Sequence, residues 1–424
     1  MRFRMEGPTV ITLDDKRTVY GPGQLTWQDG EIVSLGPENS DPAPVDQLIR
    51  VGDAYLLPGL LNGHNHAAMT LLRGVADDSP LFEWLHDHIF PLEAKLTAED
   101  VYTGTLLACA EMIHTGTVGF ADMYFHAEQV ARAVEQAGLR AWIARGITGD
   151  AQSGQPRLDE SLEFATEWRG HPRITPMLGP HAPYTVSFDL LQRVAAAAQE
   201  CDLGIHIHLA ESPQEMAELA QRQTTPFALA HRAGLFSSRI LIAHGTHVSA
   251  SDVDYLVGMR GGIITCPVSN AKLGNGILPY SMLREAGITV GLGTDGPAST
   301  NSLDMFLEMK AMAWLQKLAG RHPETFRAEE ALIAATTATA SVLGHAGGQL
   351  AVGRPADFIV VGRRSAHLTP EHDAVANLVY AAQGKDVRYT VVDGHILMAE
   401  GIITAFDEQA VILEAESRAK MLTS

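Results

Sequence analysis

His64-Asn65-His66 sets two imidazoles two residues apart, directly after the apolar run Leu56-Leu57-Pro58-Gly59-Leu60-Leu61. Side chains at i and i+2 share one face of a strand, so both rings can meet a single metal ion if this run is a strand ending there. Three further segments have the same form. Ile205-His206-Ile207-His208 is followed by Glu211, Ile240-Leu241-Ile242-Ala243 runs into His244, and Ile288-Thr289-Val290-Gly291-Leu292-Gly293-Thr294 runs into Asp295. Taken singly, an H-x-H is a common incidental polar pair, and a histidine closing a strand is often a hydrogen-bonded rim residue. Together the four segments describe three imidazole donors, a carboxylate donor and two further ionisable groups, the makings of a hydrolytic metal centre. They converge only if their strands close around a common axis.

The elements needed to position them are legible. Between residues 56 and 345, short β-rich runs alternate with Ala- and Leu-rich helical stretches, as parallel βαβ units do. The predicted strands lie near Tyr55–Leu61, Thr117–Met123, Leu139–Gly146, Arg173–Leu178, Leu203–His208, Arg239–His244, Gly262–Thr265 and Thr289–Gly293. Eight strands separated by helices predict a (β/α)8 TIM barrel over 56–349, with catalytic groups at the C-terminal ends of its strands. Residues 1–55 and 350–424 read instead as short alternating runs broken by Gly-Asp and Asp-Gly turns. Neither end has strands enough for a sheet alone, which predicts one small β-sandwich domain built from both.

A chain of 424 residues with 46% hydrophobic and 19% charged residues has the composition of an ordinary globular enzyme. Its formal net charge of −19 argues against an electrostatic grip on nucleic-acid phosphates or anionic lipid and favours a small-molecule substrate. Cys109, Cys201 and Cys266 form no paired-spacing motif. The N-terminal Arg2 and Arg4 are followed by Glu6-Gly7-Pro8 rather than an apolar stretch, and no apolar run approaches the ~20 residues of a membrane span, so a cytoplasmic protein is expected.

The ordered set His64, His66, His208, His244 and Asp295 resembles the amidohydrolase superfamily, over nearly the whole chain. No lysine stands near the end of the fourth strand to bridge two metals, which resembles the mononuclear, deaminase-like branch. Met69-Thr70-Leu71-Leu72-Arg73-Gly74, Glu83-Trp84-Leu85, Pro91-Leu92-Glu93, Gly179-Pro180-His181-Ala182-Pro183-Tyr184, Ser269-Asn270-Ala271-Lys272-Leu273 and Gly293-Thr294-Asp295-Gly296 narrow the likeness to the 5′-methylthioadenosine/S-adenosylhomocysteine deaminases. The resemblance implies one divalent metal on His64, His66, His208 and Asp295, with Zn2+ first and Fe2+, Ni2+ or Mn2+ acceptable to the same donors. It implies that Trp84 and Glu93 line a purine-nucleoside pocket, that Glu93 reaches the ribose and that His181 contacts the purine. Arg145, and more loosely Arg157, would meet an amino-acid carboxylate, and a homo-oligomer is expected. The ordinary alternatives are a core tryptophan, a solvated glutamate and two surface arginines.

On this reading Glu211 protonates the purine ring, His244 orients the attacking oxygen, and Asp295 moves its proton to the departing ammonia. The nearest rivals are a guanine-type deaminase and an s-triazine chloro- or aminohydrolase. An acid beside the metal favours an amine leaving group, which chloride displacement does not require. Gly291-Leu292-Gly293-Thr294-Asp295-Gly296 formally matches a dinucleotide fingerprint, but it closes the last strand instead of opening the first βαβ unit. The H-x-E with P-C-x-x-C signature of nucleic-acid deaminases is missing.

Overall fold

Eight parallel strands in sequential order carry the central sheet: β1 Leu60–Asn65, β2 Thr117–Tyr124, β3 Arg140–Ile147, β4 Ile174–Pro180, β5 Gly204–Leu209, β6 Ile240–His244, β7 Gly261–Thr265 and β8 Val290–Leu292. The computed structural model describes residues 1–423. Neighbouring strands pair in parallel from β1 to β8. The seam between β8 and β1 is drawn together by Asn62, whose side chain donates to Thr294 Oγ1 at 2.7 Å and accepts from the Thr294 N–H at 3.0 Å. The Asp295 N–H donates to His64 O at 2.9 Å, so two residues of the chemistry-bearing set are themselves part of the closure. Helices such as Ala98–His114, Ala127–Ala137 and Phe188–Cys201 pack outside, burying Leu, Val and Ala against strands that are apolar on both faces.

The predicted first strand, Tyr55–Leu61, is in fact two. Ala54–Pro58 pairs antiparallel with Phe358–Gly362 in a seven-stranded sheet, and only Leu60–Asn65 enters the barrel. Gly59 is the pivot: a Cβ there would come within 2.1 Å of Val118, so only glycine lets the chain cross so close to β2. The seven-stranded sheet faces a four-stranded one that contains Arg2–Glu6 and Gly23–Gln28. Met5, Leu25, Trp27, Leu56, Phe358 and Val391 fill the space between them. Both chain ends thus contribute to a sandwich, as expected, with one departure. Glu408–Thr423 is a helix, not β-structure, and packs on the barrel helix Ala98–His114, where Arg418 pairs with Asp100 at 3.0 Å.

A buried ion-pair network ties sandwich to barrel. Arg140 at the start of β3 reaches Asp357 at 2.7 Å and Asp393 at 2.9 Å. Burial works against the charge on Asp357, but His345 and Arg140 outweigh it and hold the carboxyl down at about 2. The three cysteines are free. Among the described residues, no helix is long and apolar enough to cross a membrane.

Candidate active site

The C-terminal ends of β1, β5, β6 and β8 bring His64, His66, His208, His244 and Asp295 together. Asp295 Oδ1 lies 3.4 Å from both His64 Nε2 and His66 Nε2. His208 Nε2 is 3.3 Å from His66 Nε2. Ligand atoms held at about 2.1 Å around one tetrahedral ion sit roughly 3.4 Å from one another, so these spacings fit a divalent metal. The backs of the rings are held as such ligands require: His66 Nδ1 donates to Met123 O at 2.6 Å and His208 Nδ1 to His181 O at 2.8 Å. A carbonyl only accepts, so each ring keeps its proton on Nδ1 and offers the Nε2 lone pair. His64 Nε2 is buried without a hydrogen-bond partner among the described residues, which also fits an ion. His64, His208 and His244 form a second group with metal-ligand spacing, so the geometry alone leaves His244 able to share the ion.

Around this cluster the backbone is bent to aim side chains. His244 has φ +71° and Asp295 φ +67°, left-handed conformations that carry about 1–3 kcal/mol of strain in a non-glycine residue and collect at functional sites. Asp295 Oδ2 accepts from Ser269 Oγ at 2.6 Å and Ser299 Oγ at 2.8 Å, leaving Oδ1 turned toward the imidazoles. Burial opposes charge on this carboxylate, but the facing imidazoles of His64, His244 and His66 hold it well below the usual range. His244 Nδ1 donates to Asn270 Oδ1 at 3.0 Å and points Nε2 at Glu211 Oε1, 3.7 Å away. Burial alone would keep His244 neutral, but the Glu211 and Asp295 carboxylates raise its pKa above that of an ordinary imidazole.

Glu211 stands on a sharp turn after β5, where Ala210 has φ +54°. The buried Glu215 carboxylate ties this turn down, accepting the N–H groups of Ala210 at 3.1 Å and Glu211 at 2.8 Å. Ser212 caps the helix Pro213–Gln221 that carries Glu215. Burial raises the Glu211 carboxyl, and Asn275 Nδ2 donates to it at 3.2 Å.

Above this floor opens a cavity walled by Met69, Leu81, Trp84, Phe90, Phe125 and Leu273. Trp84 donates its indole N–H to Val75 O at 3.1 Å and presents the ring to the cavity from a π-helical turn, Trp84–Ile89. Glu93 and His181 also line it. His181 Nδ1 meets Thr185 Oγ1 at 2.8 Å, and burial pushes its pKa down to about 4. Glu93 accepts from Tyr124 Oη at 2.7 Å, and burial pushes its carboxyl up to about 7.

That last shift has a stability consequence. Unfolded, Glu93 ionises near its model value of 4.5, so from there to about 7 the folded state holds a proton that the unfolded chain has lost. Stability therefore falls as pH rises through this window. Glu93→Gln is expected to stabilise the protein at pH 8, by about 1–3 kcal/mol, and to leave the melting temperature unchanged at pH 4. Equal shifts at both pH values in a thermal-melt series would contradict the assignment.

The two arginines expected at a substrate carboxylate are not in the cavity lining. Arg145 turns into a neighbouring acidic cleft, 2.5 Å from Glu160 and 3.9 Å from Glu128. Arg157 is exposed on the helix Gln155–Glu167 and, among the described residues, donates only to Ser153 O, at 3.3 Å. Alternation explains Arg145: Gly146 and Thr148 line the cavity, whereas the preceding residue of β3 faces away. Sequence reasoning passed over His206, Asn270, Glu215 and Tyr124. His206 was detectable, since it precedes His208 by the same i, i+2 step that drew attention to His64 and His66.

Comparison with known proteins follows the same line. Residues 55–397 match the model of the amidohydrolase family. A 5-methylthioadenosine/S-adenosylhomocysteine deaminase of Pelotomaculum thermopropionicum is 43% identical over 427 residues, covering 99% of this chain and 98% of the relative. A 5'-deoxyadenosine deaminase of Methanosarcina mazei is 42% identical, covering 98% and 97%. The crystal structure of an adenosine deaminase from Xanthomonas campestris with bound zinc superposes with a TM-score of 0.95 at 32% identity, covering 99% of this chain and 98% of that one. With its ligand-spaced histidines at the rim of an eight-stranded barrel, this chain belongs to the amidohydrolase family.

Proposed function

We propose that the protein is a metal-dependent hydrolytic deaminase of adenine nucleosides altered at the 5′ position, such as 5′-methylthioadenosine and S-adenosylhomocysteine, and that it releases ammonia. The observation that carries this is the Glu211 carboxyl, raised by burial and set 3.7 Å from His244 beside the ligand-spaced cluster. His64, His66, His208 and Asp295 would hold the ion, Zn2+ in the first instance. Bound there, it supplies a water whose pKa drops from 15.7 to about 7, so that hydroxide is at hand at neutral pH.

The remaining work falls to the chain. As the water oxygen adds to C6, Glu211 gives its proton to the ring nitrogen N1, which removes the negative charge that addition would otherwise leave on the purine. His244, its Nδ1 tied to Asn270, directs Nε2–H at the attacking oxygen and orients it. Asp295 accepts the proton of that oxygen and passes it to the exocyclic amine, so the C6–N bond breaks with ammonia as the leaving group and a C6 carbonyl remains. The neighbouring Trp84 and Phe90 exclude bulk water along the apolar wall, and Glu93 accepts from the ribose hydroxyls at the far side of the base.

Arg145 faces away from the cavity, so it would meet an amino-acid tail only where the tail runs beyond the cavity lining and the guanidinium leaves Glu160 for the substrate carboxylate. Arg145→Met is therefore expected to raise KM for S-adenosylhomocysteine about tenfold, the loss of one exposed charge-assisted contact, and to leave 5′-methylthioadenosine unaffected. Equal effects on both substrates would remove Arg145 from the tail site. The reading as a whole is tested by ammonia release from metal-replete protein with S-adenosylhomocysteine, 5′-methylthioadenosine, adenosine, guanine and a chloro-s-triazine. Preferred turnover of the first two supports it. Chelator-sensitive activity on guanine or the triazine alone overturns the substrate.

A further inference from the structure

We infer that His206, which no reading above assigns, is a positioning residue that sets the tautomer of His64 and thereby the affinity of the cluster for its ion; this rests on His64 being a ligand. His206 lies two residues before His208 on β5, wholly buried, with its Nε2 2.7 Å from His64 Nδ1. The rings meet edge to face, with planes 78° apart. No carboxylate contacts His206 among the described residues, and a fully buried imidazole without a counter-charge stays neutral. One proton therefore occupies the bond between two neutral rings, and it can belong to either.

The two arrangements differ in what they offer an ion. When His64 Nδ1–H donates to His206 Nε2, the Nε2 lone pair of His64 faces Asp295 and is free to ligate. When His206 Nε2–H donates instead, the proton of His64 sits on Nε2, 3.4 Å from Asp295 Oδ1, and ligation is blocked. His66 and His208 have no such freedom, because the carbonyls of Met123 and His181 behind them can only accept. His64 alone is backed by a group able to give or to take. In the ligating arrangement His206 carries its own proton on Nδ1, which is buried with no partner among the described residues. An unsatisfied buried N–H works against that tautomer. Ion binding thus selects one tautomer of the pair, with the number of protons on it unchanged, and His206 must remain an acceptor at Nε2 for the site to hold its ion.

The test is Zn2+ affinity of the full-length apoprotein, by competition with a chromophoric chelator, in wild type, His206→Leu and His206→Gln. Gln returns an acceptor oxygen near the position of Nε2. The expected result is a 10- to 100-fold weaker affinity for Leu, the range seen when a partner behind a metal-binding histidine is lost, and recovery to within about threefold for Gln. Wild-type affinity in the Leu variant, or equal loss in both folded variants, overturns the inference. If the Leu variant does not fold, 15N-imidazole NMR of wild type decides: the zinc-loaded protein should carry His206 protonated on Nδ1, and protonation on Nε2 refutes the proposal. A wild type that binds no Zn2+ at all would instead refute the metal reading of the site, so the two failures are separable.

Discussion

Glu211→Gln should keep its metal and lose its chemistry, with kcat/KM falling about 10²- to 10⁴-fold, the contribution of a positioned general acid. Gln is isosteric and keeps an oxygen for Asn275, so the turn held by Glu215 has no reason to move. What it lacks is a proton to give. Elemental analysis showing stoichiometric metal beside the collapsed rate separates lost catalysis from lost binding. Near-wild-type turnover with metal bound would show that ring protonation comes from elsewhere, and with it the argument from the buried carboxyl would fail. Burial bears on the same role: desolvation raises the Glu211 carboxyl and so favours the protonated form that an acid needs.

Removing the metal should act on activity and stability together. Dialysis against a chelator is expected to abolish ammonia release and to lower the melting temperature, and both should return on adding Zn2+. An ion at a free concentration 1,000-fold above its Kd stabilises the folded state by about 4 kcal/mol. The structural reason is that Asp295 Oδ1 lies 3.4 Å from His64 Nε2 and His66 Nε2, His208 Nε2 lies 3.3 Å from His66 Nε2, and His64 Nε2 meets no hydrogen-bond partner among the described residues. Calorimetry with and without chelator, alongside the activity assay, checks both halves. Unchanged melting with lost activity would mean an ion bound weakly or elsewhere, and unchanged activity would remove the metal from the reaction.

The rest of the molecule shows why some of this could be read from one chain and some could not. Each chemistry-bearing residue stands just past an apolar β-run, and side-chain alternation with a parallel barrel sends such positions to a common rim. That logic needs no partner information, so it located His64, His66, His208, His244 and Asp295. It carried no boundary between Pro58 and Leu60, because strands of the sandwich and the barrel are both buried and both read as continuous apolar sequence. The division rests on Gly59 passing Val118, a contact between residues far apart in the chain. The helix Glu408–Thr423 was missed for a related reason. It is held by Arg418 reaching Asp100, and its buried residues Val411, Ala415 and Leu422 form too narrow a stripe to announce a helix.

The same distinction runs through the site. By itself the sequence determined which residue types end which strands, hence the candidate donors, the glutamate after β5 and the class of chemistry, since these follow from local periodicity and chain order. Only the tertiary structure decided what each of those groups touches. Arg145 is at the predicted strand end, yet Glu160 takes its guanidinium, and no local pattern records that pairing. Glu211 is raised by the walls around it, and His64 is backed by His206 across the barrel. Protonation state, tautomer and ion pairing depend on distances between elements brought together by folding, and those distances are a property of the closed barrel rather than of any segment of it.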